Sequence, residues 1–311
     1  MDQLSRNEVR IAEQVKRALE DRAPIVALES TVIAHGLPHP LNLETALASE
    51  AVVRQHGAMP ATIGIVGGVP TIGLSEDEIR IFAAGQTRDG RVIEKVGLNN
   101  LASVTVRGGW GATTVASTLR LAHAANVRVV STGGIGGVHR GAAQTFDVSA
   151  DLIALGNTPV ICVCAGAKSI LDLPKTREYL ETIGVPVLGY GTEEFPAFYS
   201  RDSGLPVDAR IETPEEAADI AERHWRMGGG NAVLVCVPVP VEFEIPGSDI
   251  ERASAEAIET ADRQGIRGKT LTPFLLAQLE ELTGGNSLAA NRALLTSNAG
   301  VAARIALSLS H

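Results

Sequence analysis

The sequence predicts an α/β protein, a three-layer α/β/α sandwich around a mainly parallel sheet. Short apolar runs rich in β-branched residues recur along the 311 residues and alternate with helical patterns. Such continuous apolar runs are typical of parallel strands that are covered on both faces. Because no repeat or long linker divides the chain, we expect one domain over residues 1–311, with residues 1–22 as an N-terminal helical extension.

The predicted elements follow in chain order. The apolar runs that predict strands are 25–28, 62–66, 127–130, 160–164, 185–188 and 232–236. Helical patterns cover 1–20, 43–55, 113–125 and 168–183, and helices are predicted from Asp249 onward with an interruption at 283–286. Ligands of parallel sheets gather at the carboxyl ends of the strands, so we expect the functional site at that edge.

The composition excludes several classes of protein. A net charge of −9 without a run of basic residues argues against a nucleic-acid partner. Cys162, Cys164 and Cys236 lie in apolar runs without C-x-x-C spacing, which predicts reduced core residues. No segment has the pattern of a signal peptide or the roughly 18 apolar residues of a membrane span. We therefore expect a cytoplasmic protein that does not bind membranes.

Three glycine-rich segments are candidates for phosphate binding. Gly108–Thr114 precedes an alanine-rich helix, where amides and a helix end could bind phosphate, although glycine before a helix is often only a turn. The segment 131–141 lacks the third glycine of a dinucleotide motif, because His139 takes its place. Gly268–Thr270 resembles the end of a Walker motif, but Arg263 stands where its first glycine belongs. A dinucleotide or P-loop fold is therefore disfavoured.

Acidic candidates are few. Glu29 ends an apolar strand, where partial burial would raise the pKa of its carboxyl and make it a proton donor, although a helix cap or an ion pair explains it equally well. Asp147 and Asp151 are four residues apart and would share one face of a helix. Together with Ser149 they could hold Mg²⁺ or Mn²⁺ through oxygen ligands, or form only a capped turn.

Lys168 directly follows the predicted strand 160–164. A buried ammonium group is costly unless it is paired, so the position favours either a nearby carboxylate or an uncharged amine. An uncharged lysine can act as a nucleophile, whereas a paired one would be a structural cation. The residue pattern alone leaves both interpretations open.

Six long segments carry a family resemblance: VALESTVIAHGLP, PATIGIVGGVPTIGLS, GATTVAST, STGGIGGVHRGAAQTFDVSADL, CAGAKSILDLPKTREYLETIGVPVLGY and GKTLTPFLLAQLEELTGGNSLAANRALL. Together they resemble the pseudouridine-5′-phosphate glycosidase family, which includes indigoidine synthase A-like proteins. The resemblance runs from about Ala27 to near the C-terminus. It implies reversible cleavage of the C–C glycosidic bond of pseudouridine 5′-phosphate to uracil and ribose 5-phosphate. It also implies a homotrimer and a divalent metal, usually Mn²⁺.

The resemblance gives most candidate residues a role. Lys168 matches the imine-forming lysine, Glu29 the proton donor and Asn291 an active-site asparagine. Asp147 matches the metal ligand, and Lys95 matches a phosphate-contacting lysine. The positions that match substrate contacts are Val115, Ser149, Ala150 and Asp151. We expect Asp151 and Asn291 to orient uracil or the sugar hydroxyl groups, and the phosphate to lie among Lys95, the helix start at Thr113 and Thr114, Ser149 and His139.

The carbon-linked base explains the need for a lysine. Carbon is a poor leaving group, so protonation alone does not release uracil, whereas an amine bonded to the opened sugar can expel it and leave an imine. Two other functions stay open: a Schiff-base aldolase-type lyase acting on a phosphorylated sugar, and a non-catalytic nucleotide-phosphate binding protein. Dependence on the nucleobase would separate the first from a glycosidase, and binding without turnover would indicate the second.

Overall fold

The computed structural model describes residues 9–266 and 271–309 and has the predicted α/β architecture. The strands of the described residues belong to one twisted sheet: β1 (Arg10–Ile11), β2 (Ile25–Leu28), β3 (Met59–Val66), β4 (Val69–Ile72), β5 (Ile93–Val96), β6 (Trp110–Thr113), β7 (Val129–Ser131), β8 (Ile161–Cys164), β9 (Val187–Tyr190), β10 (Ala209–Ile211) and β11 (Val233–Cys236).

The helices lie mostly between the strands. They are α1 (Glu13–Glu20), α2 (Leu41–Gln55), α3 (Glu76–Ala83), α4 (Leu101–Val106), α5 (Val115–Ala124), α6 (Ala142–Thr145), α7 (Ala150–Leu155), α8 (Leu173–Thr182), α9 (Pro214–Arg226), α10 (Gly247–Arg263), α11 (Leu271–Leu282) and α12 (Asn286–Ser308). A π-helical turn covers Val32–Gly36, and a 3₁₀ turn covers Val241–Phe243. The helical C-terminal part is confirmed, with its interruption between α11 and α12.

The sheet is mainly parallel, as predicted. Its strand order is β1-β4-β3-β2-β7-β8-β11-β9-β10, and β6 joins β3 while β5 joins β6. The antiparallel pairings are those of β3 with β4 and β6. The first half of β3 pairs with β2, whereas its second half pairs with β4 and β6 and so starts a small antiparallel corner. This corner brings β5 and the start of α5 to the carboxyl end of β2.

Helices cover both faces of the sheet and complete the three layers. Ile161 and Val163 of β8 pack with the cluster that includes α2, α9 and α12. Cys162 and Cys164 point to the opposite face and pack with the cluster that includes α1, α5, α7 and α8. This alternation leaves β8 buried on both faces, which is why its sequence is a continuous apolar run. All three cysteines are buried and free, as predicted.

Several predicted boundaries are wrong for identifiable reasons. The helix predicted over 168–183 begins at Leu173, because Asp172 caps it and a proline occupies its first turn, so Lys168 lies in a loop. The helix predicted over 113–125 begins at Val115, because the glycine-rich residues before it form strand β6. A methyl group on Gly111 would lie 2.2 Å from the Val96 side chain, so this glycine permits close strand contact.

Two predictions fall wholly or partly outside the described residues. Gly268–Thr270 lies outside them, and so do residues 1–8 of the N-terminal helical extension. In the rest of this extension the predicted helix is wrong at Arg10–Ile11, which form strand β1 and pair with β4, and α1 covers only Glu13–Glu20. Within the described ranges, no helix has the length and apolar character needed to cross a bilayer.

Candidate active site

A cavity of about 400 Å³ opens at the carboxyl edge of the sheet, where ligands were expected. All of the candidate residues from the sequence line it: Glu29, Lys95, Thr114, Val115, His139, Asp147, Ser149, Ala150, Asp151, Lys168 and Asn291. They come from seven separate segments of the chain, so the fold brings together what the sequence keeps apart. Their chemical roles stay predictions.

Glu29 is the buried acid of this cavity. It follows β2 directly and is 9% exposed. Burial has the largest effect on the carboxyl of Glu29 and raises its pKa, and the nearby charge of Asp151 raises it further. Lys168, the Thr132 hydroxyl and Lys95 lower the pKa, but by less than burial raises it. The expected rise in the pKa is therefore confirmed. A carboxyl whose pKa is raised holds its proton to higher pH, which suits it to donate that proton to a bound ligand.

Thr132 positions Glu29 and was not found from the sequence. Its hydroxyl donates a 2.8 Å hydrogen bond to Glu29 Oε2. The buried amide Nδ2 of Asn298, on α12, donates to the carbonyl oxygens of Thr132 and Gly133 at 2.8 and 3.3 Å and so holds this loop in place. The position of Thr132 at the end of an apolar strand, within the glycine-rich segment 131–141, was a signal that could have identified it.

Lys168 is presented by a tight loop that follows β8. Its backbone N–H donates to the Ile135 carbonyl oxygen at 3.1 Å, which ties the loop to the glycine-rich segment. Gly166 has a φ of 81°, and a methyl group there would lie 1.9 Å from the Pro196 carbonyl oxygen, so only glycine fits. Lys168 is half-buried, and within the described ranges its amine forms no salt bridge. The structure therefore favours an amine that faces the cavity over a paired structural cation.

Asp151 fastens two loops together. Its Oδ1 accepts a hydrogen bond from the Ala116 amide at 2.9 Å, and its Oδ2 accepts one from the Gly136 amide at 2.8 Å. The side chain is 6% exposed, and its residue lies in the first turn of α7, which Ser149 caps. Both carboxylate oxygens therefore already have backbone donors.

Asp147 lies outside the helix that contains Asp151. The predicted shared helix face is wrong, because α7 begins only at Ala150 and Ser149 is its extended N-cap. Asp147 lines the cavity and is half-buried. Over the described ranges, no group of three His, Cys, Asp or Glu side chains could hold a metal ion. A single carboxylate fits a hard cation such as Mg²⁺ or Mn²⁺, which can keep most of its water ligands.

Basic and polar side chains also line the cavity. Lys95 comes from β5, Thr114 caps α5 without a side-chain hydrogen bond to its backbone, and His139 follows the glycine-rich segment. Burial lowers the pKa of His139, with Lys168 and Lys95 adding to the effect and Asp147 opposing it. A neutral imidazole and a lysine can both donate hydrogen bonds to a phosphate.

Two neighbours of these residues are not part of the cavity. The hydroxyl of Thr113 is buried and donates to the Ile63 carbonyl oxygen, so Thr114 alone of this pair lines the cavity. Arg140, which follows His139, forms two 2.6 Å bonds with Glu251 on α10 instead of facing the cavity.

The apolar wall of the cavity was also missed by the sequence analysis. The π-helical turn 32–36 contributes Val32, His35 and Gly36. Phe198 closes another side and packs so closely on the chain that a methyl group on Gly134 would lie 2.5 Å from its ring. No motif marks Phe198, because its role depends on a contact with a distant segment.

Known proteins resemble this chain over nearly its whole length. The family model described as "Indigoidine synthase A like protein" matches residues 14–308. A relative from Caldanaerobacter subterraneus subsp. tengcongensis, named pseudouridine-5′-phosphate glycosidase, is 53% identical over 96% of this chain and 96% of its own length. A relative of the same name from Solibacter usitatus is 49% identical over 97% of this chain and 99% of its own length.

Two solved structures share the fold. The prealnumycin C-glycosynthase AlnA, in complex with ribulose 5-phosphate, is 40% identical with a TM-score of 0.88, and the match covers 100% of this chain and 98% of AlnA. An indigoidine synthase A-like protein from Thermotoga maritima is 38% identical with a TM-score of 0.88, over 98% of each chain.

Proposed function

The chain belongs to the indigoidine synthase A like family, and on this premise we propose that it reversibly cleaves the C–C glycosidic bond of pseudouridine 5′-phosphate. The products are uracil and ribose 5-phosphate, and the reaction proceeds through an imine on Lys168. The names of the relatives and the sugar phosphate in the C-glycosynthase structure support the proposal. The observation that carries it is the convergence of a buried acid, Glu29, and the amine of Lys168 on one cavity.

The chemistry begins with opening of the ribose ring. Glu29 donates its proton to the ring oxygen as the bond from that oxygen to the anomeric carbon breaks. The Nζ lone pair of Lys168 forms a bond to the anomeric carbon, and the proton that the amine loses returns to the Glu29 carboxylate. The sugar is now open and bonded to Lys168, and Glu29 is again an acid.

The carbon–carbon bond breaks in the second stage. The nitrogen lone pair forms the C=N bond, the electrons of the broken C–C bond pass to the uracil carbon, and that carbon takes up a proton from solvent, which releases uracil. The nitrogen then loses its own N–H proton to solvent, which leaves the neutral imine and balances the step. Water then adds to the imine and frees ribose 5-phosphate and Lys168. The net reaction consumes one water molecule and leaves both side chains as they began.

The other residues bind the substrate. Lys95, Thr114 and His139 hold the phosphate at the basic end of the cavity. Asn291 orients the uracil or the sugar hydroxyl groups through its amide, and Ser149 offers a hydroxyl nearby. Asp151 has the same proposed orienting role, and because its two oxygens also accept hydrogen bonds from backbone amides, it links the loops that bind the substrate.

Turnover and covalent trapping together test this proposal. Pseudouridine 5′-phosphate should yield free uracil, and ribose 5-phosphate followed by borohydride should leave a reduced adduct on the peptide that contains Lys168. Lys168→Ala should abolish both signals, because the nucleophile is missing. Lys175→Ala is the matched control, since Lys175 is exposed and pairs with Asp172 away from the cavity. Cleavage of a sugar phosphate without any nucleobase would instead indicate an aldolase, and binding without turnover a binding protein.

A divalent cation, Mn²⁺ or Mg²⁺, is the cofactor that we propose. Asp147 would hold it, with water molecules as most of its other ligands. When bound, it would supply positive charge that offsets the substrate phosphate. EDTA should remove the activity, and addition of Mn²⁺ or Mg²⁺ should restore it. Full activity in the chelator would mean that Asp147 has a structural role.

We further propose a homotrimer in the cytoplasm. The trimer rests on the family resemblance, and a mass from light scattering near three times 32.5 kDa would support it. The cytoplasmic location rests on three free, buried cysteines, which suit a reducing compartment.

A further inference from the structure

A second, small cavity adjoins Glu29 beneath the substrate site. It has a volume of about 30 Å³ and lies between the carboxyl ends of β2 and β7, strand β3 and helix α2. Glu29 and Thr132 line both cavities, so these two residues form part of the wall between them. This volume accommodates about one or two water molecules, provided that polar partners are present.

Three hydroxyl groups of the small cavity present only lone pairs to it, because their protons are committed elsewhere. Thr62 donates to Glu50 Oε1 at 2.6 Å, and the Glu50 carboxylate is fixed from its other side by Arg54 at 2.9 Å. Thr45 and Ser49, on α2, donate to backbone carbonyl oxygens of their own helix at 2.7 and 2.9 Å. These hydroxyls can therefore accept a hydrogen bond from a molecule inside the cavity.

Ser131 supplies the complementary donor. It ends β7, is 3% exposed and lines the cavity. Its hydroxyl forms no hydrogen bond to any residue in the described ranges. Ser131 Oγ is not among the fully buried, unpartnered side-chain atoms of the described residues, so the cavity reaches it and its hydroxyl can donate to a water molecule there.

We propose that this small cavity binds ordered water, which donates a hydrogen bond to Glu29 on the side away from the substrate and stabilises the carboxylate as it forms. Such a water molecule would donate to Glu29 and to one of the committed hydroxyls and would accept from Ser131. These three bonds are the usual number for a buried water molecule. The inference rests on the proposed function of Glu29 as the proton donor.

The site matters because Glu29 must become charged while it is buried. The charged groups that face it are Lys168, Lys95 and Asp151, and the Thr132 hydroxyl is its one hydrogen-bond donor from the described chain. A donor that is already in place before the proton leaves stabilises the developing charge without reorganisation. The cavity water is such a donor, and Ser131, Thr62 and α2 act as positioning groups for it.

Filling the cavity tests the inference. Ala46→Val fills it from α2, and Ser131→Val fills it from β7, so each variant should displace the water independently. Each should lower kcat about tenfold, the effect of one lost hydrogen bond to a charged group, with KM within about twofold of the wild type. The basic limb of the pH profile should move to higher pH, because the carboxylate is less stable without the water. Ala48→Val, on the same helix but outside the cavity lining, should match the wild type.

Two measurements decide the outcome. Crystal structures should show water density beside Glu29 in the wild-type protein and none in a folded filling variant. Unchanged kcat and pH limb in a filling variant that has lost the water would overturn the inference, and so would a wild-type cavity without water density. Glu29→Gln, assayed in parallel, separates the two proposals: if it stays active, the proton-donor role itself fails, whereas an inactive Glu29→Gln with unaffected filling variants refutes only the water site.

Discussion

Two buried carboxylates face the same cavity and differ in the donors around them. Glu29 is 9% exposed and Asp151 is 6% exposed, so the extent of burial does not separate them. Glu29 accepts one hydrogen bond, from the Thr132 hydroxyl. Asp151 accepts two, from the backbone amides of Ala116 and Gly136. The local donors, and not burial, distinguish the two acids.

The difference indicates a division of labour. Backbone amides cannot move or give up their protons, so the two amides complement a carboxylate and fix Asp151 as a link between the glycine-rich segment and α5. A hydroxyl can donate or accept, so Thr132 is compatible with both protonation states of Glu29. Asp151 therefore links the loops of the site, and Glu29 is the carboxyl that the proposed function uses as the proton donor.

The largest expected effect is that of Glu29→Gln. Glutamine keeps the size and an acceptor for Thr132 but has no acidic proton, so kcat should fall by about 10²–10⁴-fold. Substrate affinity and the melting temperature should change little, because no buried charge or packing is lost. Steady-state kinetics and thermal denaturation measure these quantities. A variant that stays active would show that another group protonates the ring oxygen.

The sequence predicted the fold class and the residues that line the cavity. It predicted less well where the helices and strands begin and how the site residues are bonded. The apolar runs located most strands of the parallel core because those strands, such as β8, are buried on both faces. Strand β6 was missed because the glycines of Gly108–Thr114 resemble a loop, and their need for small size comes from contact with the neighbouring strand. Local patterns contain no record of such contacts.

The same limit applies within the site. The resemblance identified Glu29 and Asp151 as members of the site, but the sequence does not show that two backbone amides reach the oxygens of Asp151. The partner amides lie 35 and 15 residues away along the chain. Thr132 was missed for the same reason, since its partner Glu29 lies 103 residues away and no motif joins them.

The next largest effect is that of Asp151→Asn, the same chemical change at the other carboxylate. An asparagine has one acceptor oxygen, so one buried amide would face the Nδ2 donor instead, at a cost of about 1–3 kcal/mol in the free energy of unfolding. Substrate binding should weaken because the loops lose their link. Denaturant unfolding and ribose 5-phosphate titration test this expectation. If Asp151→Asn were as stable as the wild type and Glu29→Gln were destabilised, the structural role would belong to Glu29 and not to Asp151.

The smallest effect is expected for Thr132→Val, which removes the hydroxyl donor of Glu29 and keeps the shape. That hydroxyl lowers the pKa of Glu29, so its loss should raise the pKa further. Because Glu29 acts as the neutral acid, kcat/KM falls as pH rises through this pKa. The basic limb should therefore move to higher pH, by about one unit or less for one hydrogen bond.

Thr71→Val is the matched control for this pH measurement. Thr71 is fully buried in β4, and its hydroxyl donates only to the Val69 carbonyl oxygen, away from the cavity. The control should leave the basic limb in place, even if it lowers stability to a similar extent. If the basic limb moved equally in both variants, its position would report general loosening of the sheet. The hydrogen bond from Thr132 would then not set the pKa of Glu29.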